Sequence, residues 1–136
     1  MISREFYKEL GKLVYALAKA DGEIQVKESD KLIEILRGTE IYCEQGEIIP
    51  LQSEKYYTEF EFMLYKEKKI AVKDAFSSFI NFINNNFTHI DDKMKKITLA
   101  LAKKILKSHK GINRLEQKML DELTLVLSKE NLHEIY

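Results

Sequence analysis

The residues best placed to do chemistry are three carboxylates near one helix junction: Asp21, Glu23 and Glu28, in the run Asp21-Gly22-Glu23-Ile24. Hard divalent cations take clustered oxygen ligands, so this acidic turn is a candidate metal site. A structural reading explains the same residues. Gly22 supplies a turn, Ile24 enters a core, and Glu28 sits near a helix start, where a carboxylate favours the dipole and can bond back to the cap. The turn matches the second half of an EF-hand loop, with Glu28 as its last ligand. In that register Leu17 and Lys19 occupy the first two ligand positions. Neither ligates calcium, so an EF-hand is excluded.

No other constellation is as sharp. His89, His109 and His133 lie far apart and form no metal-binding pair. The single cysteine, Cys43, excludes an internal disulfide and a cysteine zinc site. There is no phosphate-binding glycine loop, nucleophile elbow or dinucleotide fingerprint. The expectation is a protein that is not an enzyme.

The elements that must position the turn are helical. Five glycines and one proline in 136 residues are too few for the turns of a multi-stranded β protein. Apolar residues recur at helical spacing. Phe6, Leu10, Leu13, Val14 and Leu17 form one such face. Tyr56, Phe60, Met63 and Leu64 form a second, and Val72, Phe76, Phe79, Ile80 and Ile83 a third. Leu115, Met119, Leu123 and Val126 form a fourth. The stretch from Met94 to Leu106 is apolar on two sides and is expected to be central.

The reading is an all-α single domain over 1–136. It has about seven helices, at 3–20, 26–37, 53–68, 72–86, 91–108, 114–127 and 129–135. Asp21-Gly22 and Lys110-Gly111 are stop signals. Thr88 or Asp91, together with Ser53, Asn113 and Ser128, are candidate N-caps. The segment from Gly38 to Pro50 has no period and reads as the longest loop.

Residues 16–36 resemble 103–123. With the two runs shifted by one residue, to an offset of 88, Ile24 falls on Ile112, Glu28 on Glu116, Leu32 on Leu120 and Ile35 on Leu123. Gly22 with Ile24 and Gly111 with Ile112 are the structural turns, each isoleucine plugging its hairpin. Two pseudo-symmetric αα-hairpin units in a compact helical bundle follow.

The run from Leu13 to Leu36, with Ala16, Ala18, Ala20, Asp21, Gly22, Ile24, Glu28, Leu32 and Leu36, resembles the first signature of the TerB-like proteins. These are named for tellurite resistance and related to the N-terminal domain of a membrane-anchored DnaJ-type co-chaperone. The resemblance covers about the first 36 residues and extends more weakly to about residue 127. It implies a compact all-α fold and a non-enzymatic interaction or scaffold role in a bacterial stress response, linked to tellurite or metal. It also implies a protein partner in a membrane-associated complex, and a cation at Asp21, Glu23 and Glu28. The second turn departs from the pattern, reading His109-Lys110-Gly111 in place of Asp-Gly.

Lys and Arg number 22, as do Asp and Glu, so bulk charge does not argue for nucleic acid. The zero total hides an asymmetry. Residues 20–50 carry a net −5 and residues 92–118 a net +7. Lys93, Lys96, Lys103, Lys107 and Lys110 fall along one helical face, a solvated surface or a docking face for an anionic partner. Opposite fields also allow self-association. Tyr56, Tyr57, Phe60 and Phe62 nearly surround their helix, and any of them left exposed would form an apolar patch. The first ten residues lack a signal-peptide apolar core, and no stretch is apolar enough to span a bilayer. The expected setting is the cytoplasm, or the periphery of the inner membrane.

Overall fold

The computed structural model describes residues 2–38, 40–42, 48–50, 55–107 and 111–128. The helical periods become six α-helices: α1 (Ile2–Lys19), α2 (Val26–Arg37), α3 (Lys55–Lys68), α4 (Val72–Asn85), α5 (Asp92–Lys107) and α6 (Arg114–Ser128). Each begins and ends within two residues of the expected bounds, and the fold is all-α. The expected seventh helix, 129–135, lies outside the described residues.

The segment read as a loop differs. It holds two three-residue strands, β1 (Glu40–Tyr42) and β2 (Ile48–Pro50). They pair antiparallel with Ile41 opposite Ile49. Isoleucine and tyrosine favour extended backbone, and a run this short leaves no period to read.

The central helix is α1, not α5. Phe6, Tyr7, Leu10 and every residue from Leu13 to Ala18 are buried around its whole circumference. It is enclosed mainly by α3 and α4, then by α5. Helix α5 buries Ile97, Thr98, Leu101, Ala102, Ile105 and Leu106, but Leu99 and Ala100 only in part. Small residues explain the difference. Gly11 lets the α3 backbone close on α1, and Ala16 and Ala18 are buried on the same helix.

Gly11 sets the tightest approach. A Cβ there would overlap the Thr58 carbonyl oxygen of α3 and lie 2.8 Å from Glu61 Cβ and 3.2 Å from the Phe62 nitrogen. At the same crossing the buried Thr58 hydroxyl donates to the Tyr7 carbonyl at 2.6 Å. Helix α3 therefore turns Thr58 and Phe62 inward. Of the apolar row Tyr56, Phe60, Met63 and Leu64, the first three point outward instead of into the core and Leu64 is half-buried.

Polar contacts fix the other helices. The Ser78 hydroxyl of α4 donates to Glu9 Oε1 at 2.8 Å, and Lys12 bridges Glu9 and Ser78. The Tyr15 hydroxyl donates to the Ile70 carbonyl at 2.6 Å, tying α1 to the α3–α4 link. Helix α2 leans mainly on α3 rather than along α1. Arg37 pairs with Glu59 at 2.6 Å, and Lys66 donates to Ser29 at 3.1 Å. Helix α6 rests on α4 and α5. The repeated segments thus dock on different neighbours.

Two outcomes follow. Replacing Gly11 with alanine ordinarily favours a helix by up to about 1 kcal/mol. Here the overlap with Thr58 dominates, and Gly11→Ala should destabilise by about 1–3 kcal/mol in urea unfolding. Equal or greater stability would show that α1 and α3 can part without cost. The second outcome concerns alkaline pH. Burial pulls the Lys12 pKa down, but the hydrogen bonds and charges of Glu9 and, less, Tyr65 together leave it raised. Burial raises the Tyr15 pKa, and the charge of Glu23 adds to this against the opposing charge of Lys19. Both protonated forms are favoured by folding. Their stabilisation is complete below the ordinary values of 10.0 and 10.5 and is lost as pH rises through the raised ones. Urea midpoints should fall above about pH 10, less steeply in Lys12→Met.

Candidate functional site

The acidic turn closes α1. Gly22 takes φ +127° and its N–H donates to the Lys19 carbonyl at 3.0 Å, a conformation L side chains resist. Beyond the turn, Ile24 is half-buried against the core.

The three carboxylates do not converge. Glu23 is exposed and meets Lys19 Nζ at 2.7 Å. That hydrogen bond and charge, with Lys69 adding to them, hold its pKa below the ordinary carboxylate value. Glu28 turns back to the start of α2, where its Oε1 accepts the Gln25 N–H at 3.4 Å. Its Oε2 is buried without a hydrogen-bond partner among the described residues. Asp21 is exposed. Among the described residues no group of three or more His, Cys, Asp or Glu is placed to hold a metal ion. One helical end pulls Glu28 one way and Lys19 pulls Glu23 another, which residue spacing alone does not reveal.

The second turn is the better-built cap. Gly111 takes φ +152°. Asn113 Oδ1 accepts the Glu116 N–H at 2.8 Å, and Glu116 Oε1 accepts the Asn113 N–H at 2.9 Å. Glu116 is fully buried within this reciprocal box. The Asn113 side-chain amide also donates to the Ala20 carbonyl at 3.4 Å, so the two turns lie against each other. Ile112 does not plug a hairpin as Ile24 does, because it is exposed. Helix α5 takes its cap from Asp91, whose Oδ1 accepts the Met94 N–H at 2.8 Å, and not from Thr88. Ser128 closes α6, donating to the Leu125 carbonyl at 2.9 Å. Ser53 and Lys110 lie outside the described residues.

On α5, Lys93, Lys96 and Lys107 are exposed and Lys103 is half-buried. Lys104, which is not in the expected row, faces solvent. The spacing from Lys96 to Lys107 passes through either residue, and the packing of α5 selects Lys104.

Two apolar surfaces complete the inventory. The outward row of α3 leaves Tyr56 63%, Phe60 65% and Met63 40% exposed. Of the four aromatics that surround this helix, Phe62 is buried and Tyr57 is half-buried beneath Arg4 and Lys8. The second surface is a groove of about 710 Å³ between α4 and α6. Phe76, Ile80 and Met119 form its floor, and Val72 and Leu115 its walls. Leu115 was expected in the core row of α6, but it is 45% exposed and lines this groove. Lys73, Lys118 and Glu122 stand at the rim. The groove arises between helices distant in sequence, so only its separate apolar rows were legible.

Comparison with protein-family models, curated proteins and solved structures finds no match to this chain. No described helix is long and apolar enough to cross a membrane.

The turn geometry predicts that calcium, magnesium, manganese and zinc leave the melting temperature of metal-stripped protein unchanged. Glu116→Ala should cost about 1–2 kcal/mol as the cap is lost, and Glu28→Ala distinctly less. A cation-induced rise in melting temperature that disappears in Asp21→Asn would overturn this assignment.

Proposed function

We propose that this chain is a non-enzymatic interaction module that seats an acidic amphipathic helix of a partner protein in the α4–α6 groove. The observation that carries the reading is the groove itself. Its floor of Phe76, Ile80 and Met119 is continuous with the exposed wall residue Leu115. An amphipathic helix lays its apolar face into such a groove and reads it through residues one turn apart. The rim selects charge. Lys73 projects from α4 and Lys118 from α6, against the single carboxylate of Glu122. The exposed lysines of α5 add to the positive field of this half of the molecule.

The chemistry of the groove supports binding over catalysis. Its polar residues, Lys73, Ser77, Asn81, Lys118 and Glu122, are all exposed at the rim. A general acid or base is ordinarily tuned by burial or by a charged neighbour in a cleft. The role is therefore that of an adaptor or scaffold. The TerB-like resemblance of the first turn supplies its setting: a bacterial stress response, with a partner in a membrane-associated complex.

The test is a titration with a synthetic amphipathic peptide bearing glutamates on its polar face, followed by amide NMR shifts. Shifts should centre on Phe76, Ile80, Leu115 and Met119. Leu115→Asp should weaken binding at least tenfold, about 1.4 kcal/mol. A lysine-bearing peptide of the same apolar pattern should bind more weakly at low salt. The absence of shifts in the groove, or equal binding by both peptides, would overturn the reading.

A further inference from the structure

The outward row of α3 needs its own explanation. Tyr56, Phe60 and Met63 stand at i, i+4 and i+7 and form the apolar face of their helix, yet Thr58 and Phe62 occupy the core side. Single exposed apolar residues are ordinary on a protein surface. Three in register along successive turns make a seam of the kind helices use to pair. The next position in the row, i+11, is the exposed Glu67.

We infer that the outer face of α3 is a two-fold interface at which two copies of this chain pair α3 antiparallel to α3. The row Tyr56, Phe60, Met63, Glu67 is complementary to its own reverse. A two-fold axis between positions 61 and 62 sets Phe60 against Met63 of the partner subunit. Sulfur beside an aromatic ring is a favourable contact. At each end the axis sets the Tyr56 hydroxyl, a donor, against the carboxylate of the partner subunit's Glu67, an acceptor.

The flank follows the same rule. Glu59 and Lys66 lie on one side of the row, seven residues apart, and the axis brings Glu59 near the partner subunit's Lys66. Within its own chain Glu59 already holds Arg37 and Lys66 donates to Ser29; a carboxylate oxygen accepts a second bond and an ammonium carries two further donors. A parallel arrangement would put Glu67 against Glu67 of the partner subunit and lose both end bonds. The charges therefore select the antiparallel, isologous pairing, in which each contact occurs twice.

The row spans about three helical turns, roughly 16 Å. A single helix pair buries less than the roughly 800 Å² per partner of a standard interface. The dimer is accordingly a weak one, with dissociation in the micromolar range. This inference is independent of the α4–α6 groove, which lies on other helices.

The experiment is sedimentation of the full chain across concentrations from about 1 μM to about 1 mM, the range in which a weak dimer dissociates. The parent protein should pass from monomer to dimer. Phe60→Glu should remain monomeric throughout. Glu67→Ala should weaken the dimer several-fold while leaving the exposed apolar row in place. Leu125→Glu on α6, 64% exposed, and the groove variant Leu115→Asp should leave it unchanged.

Register is read by disulfide trapping in a Cys43→Ser background. An equimolar mixture of Tyr56→Cys and Glu67→Cys chains should cross-link under mild oxidation to the mixed dimer. Neither variant should cross-link with itself. A protein monomeric at every concentration would overturn the inference. So would a dimer indifferent to Phe60→Glu, or efficient self-cross-linking of Tyr56→Cys alone.

Discussion

The close crossing of α1 and α3 at Gly11 is the constraint from which the remaining packing follows. With no Cβ at Gly11, the α3 backbone comes down onto α1 until the Thr58 carbonyl occupies the space a side chain would take. Only a short residue fits on the facing side, and Thr58 supplies it while donating its hydroxyl to the Tyr7 carbonyl. The hydrogen bond matters because a buried hydroxyl without a partner is costly. With α3 locked there, the α3–α4 link is held by the Tyr15 hydroxyl, and Ser78 of α4 meets Glu9 and Lys12. Helix α1 thus fixes two helices from different sides, and α2 then leans on the first of them through Arg37 and Glu59.

Helical periodicity was legible because it depends on local spacing, and six of the expected helices stand within two residues of their predicted ends. Helix rotation was not. Nothing local to α3 says that Thr58 rather than Phe60 should face inward; that choice is made by Gly11, 47 positions earlier in the chain. The centrality of α1 was missed for the same reason. A mid-helix glycine costs about 1 kcal/mol against alanine, which signals a close backbone approach. Gly11 carries that signal within an otherwise regular helical period, and it points to the crossing that sets the rotation.

The turns show the opposite balance. The matching positions of Glu28 and Glu116 were visible as a repeat, and both reach back to the N-cap backbone of their helices. The environments separate them. Each helix start carries a capping box, but Glu116 is completely sheltered in its own, whereas Glu28 has a longer bond and one oxygen without a partner among the described residues. The acidic turn looked like a cation site because three carboxylates lie within eight positions. Nearness in sequence is not convergence in space, since Lys19 sits one turn before Glu23 and draws it along the end of α1.

The same reasoning accounts for the surfaces. Successive residues turn by about 100° around a helix, so a residue two positions from both Thr58 and Phe62 lies on nearly the opposite side. Phe60 is that residue, and Tyr56 and Met63 fall beside it. Once Gly11 has drawn Thr58 inward, exposure of this row is obligatory and not a packing defect. The outer positions of α5 carry charged residues such as Lys93, Lys96, Lys104 and Lys107. On α3 the outer positions instead carry two aromatics and a methionine, ended by a carboxylate. The core constraint explains why the row faces outward, and its composition is what the proposed pairing of α3 with α3 rests on.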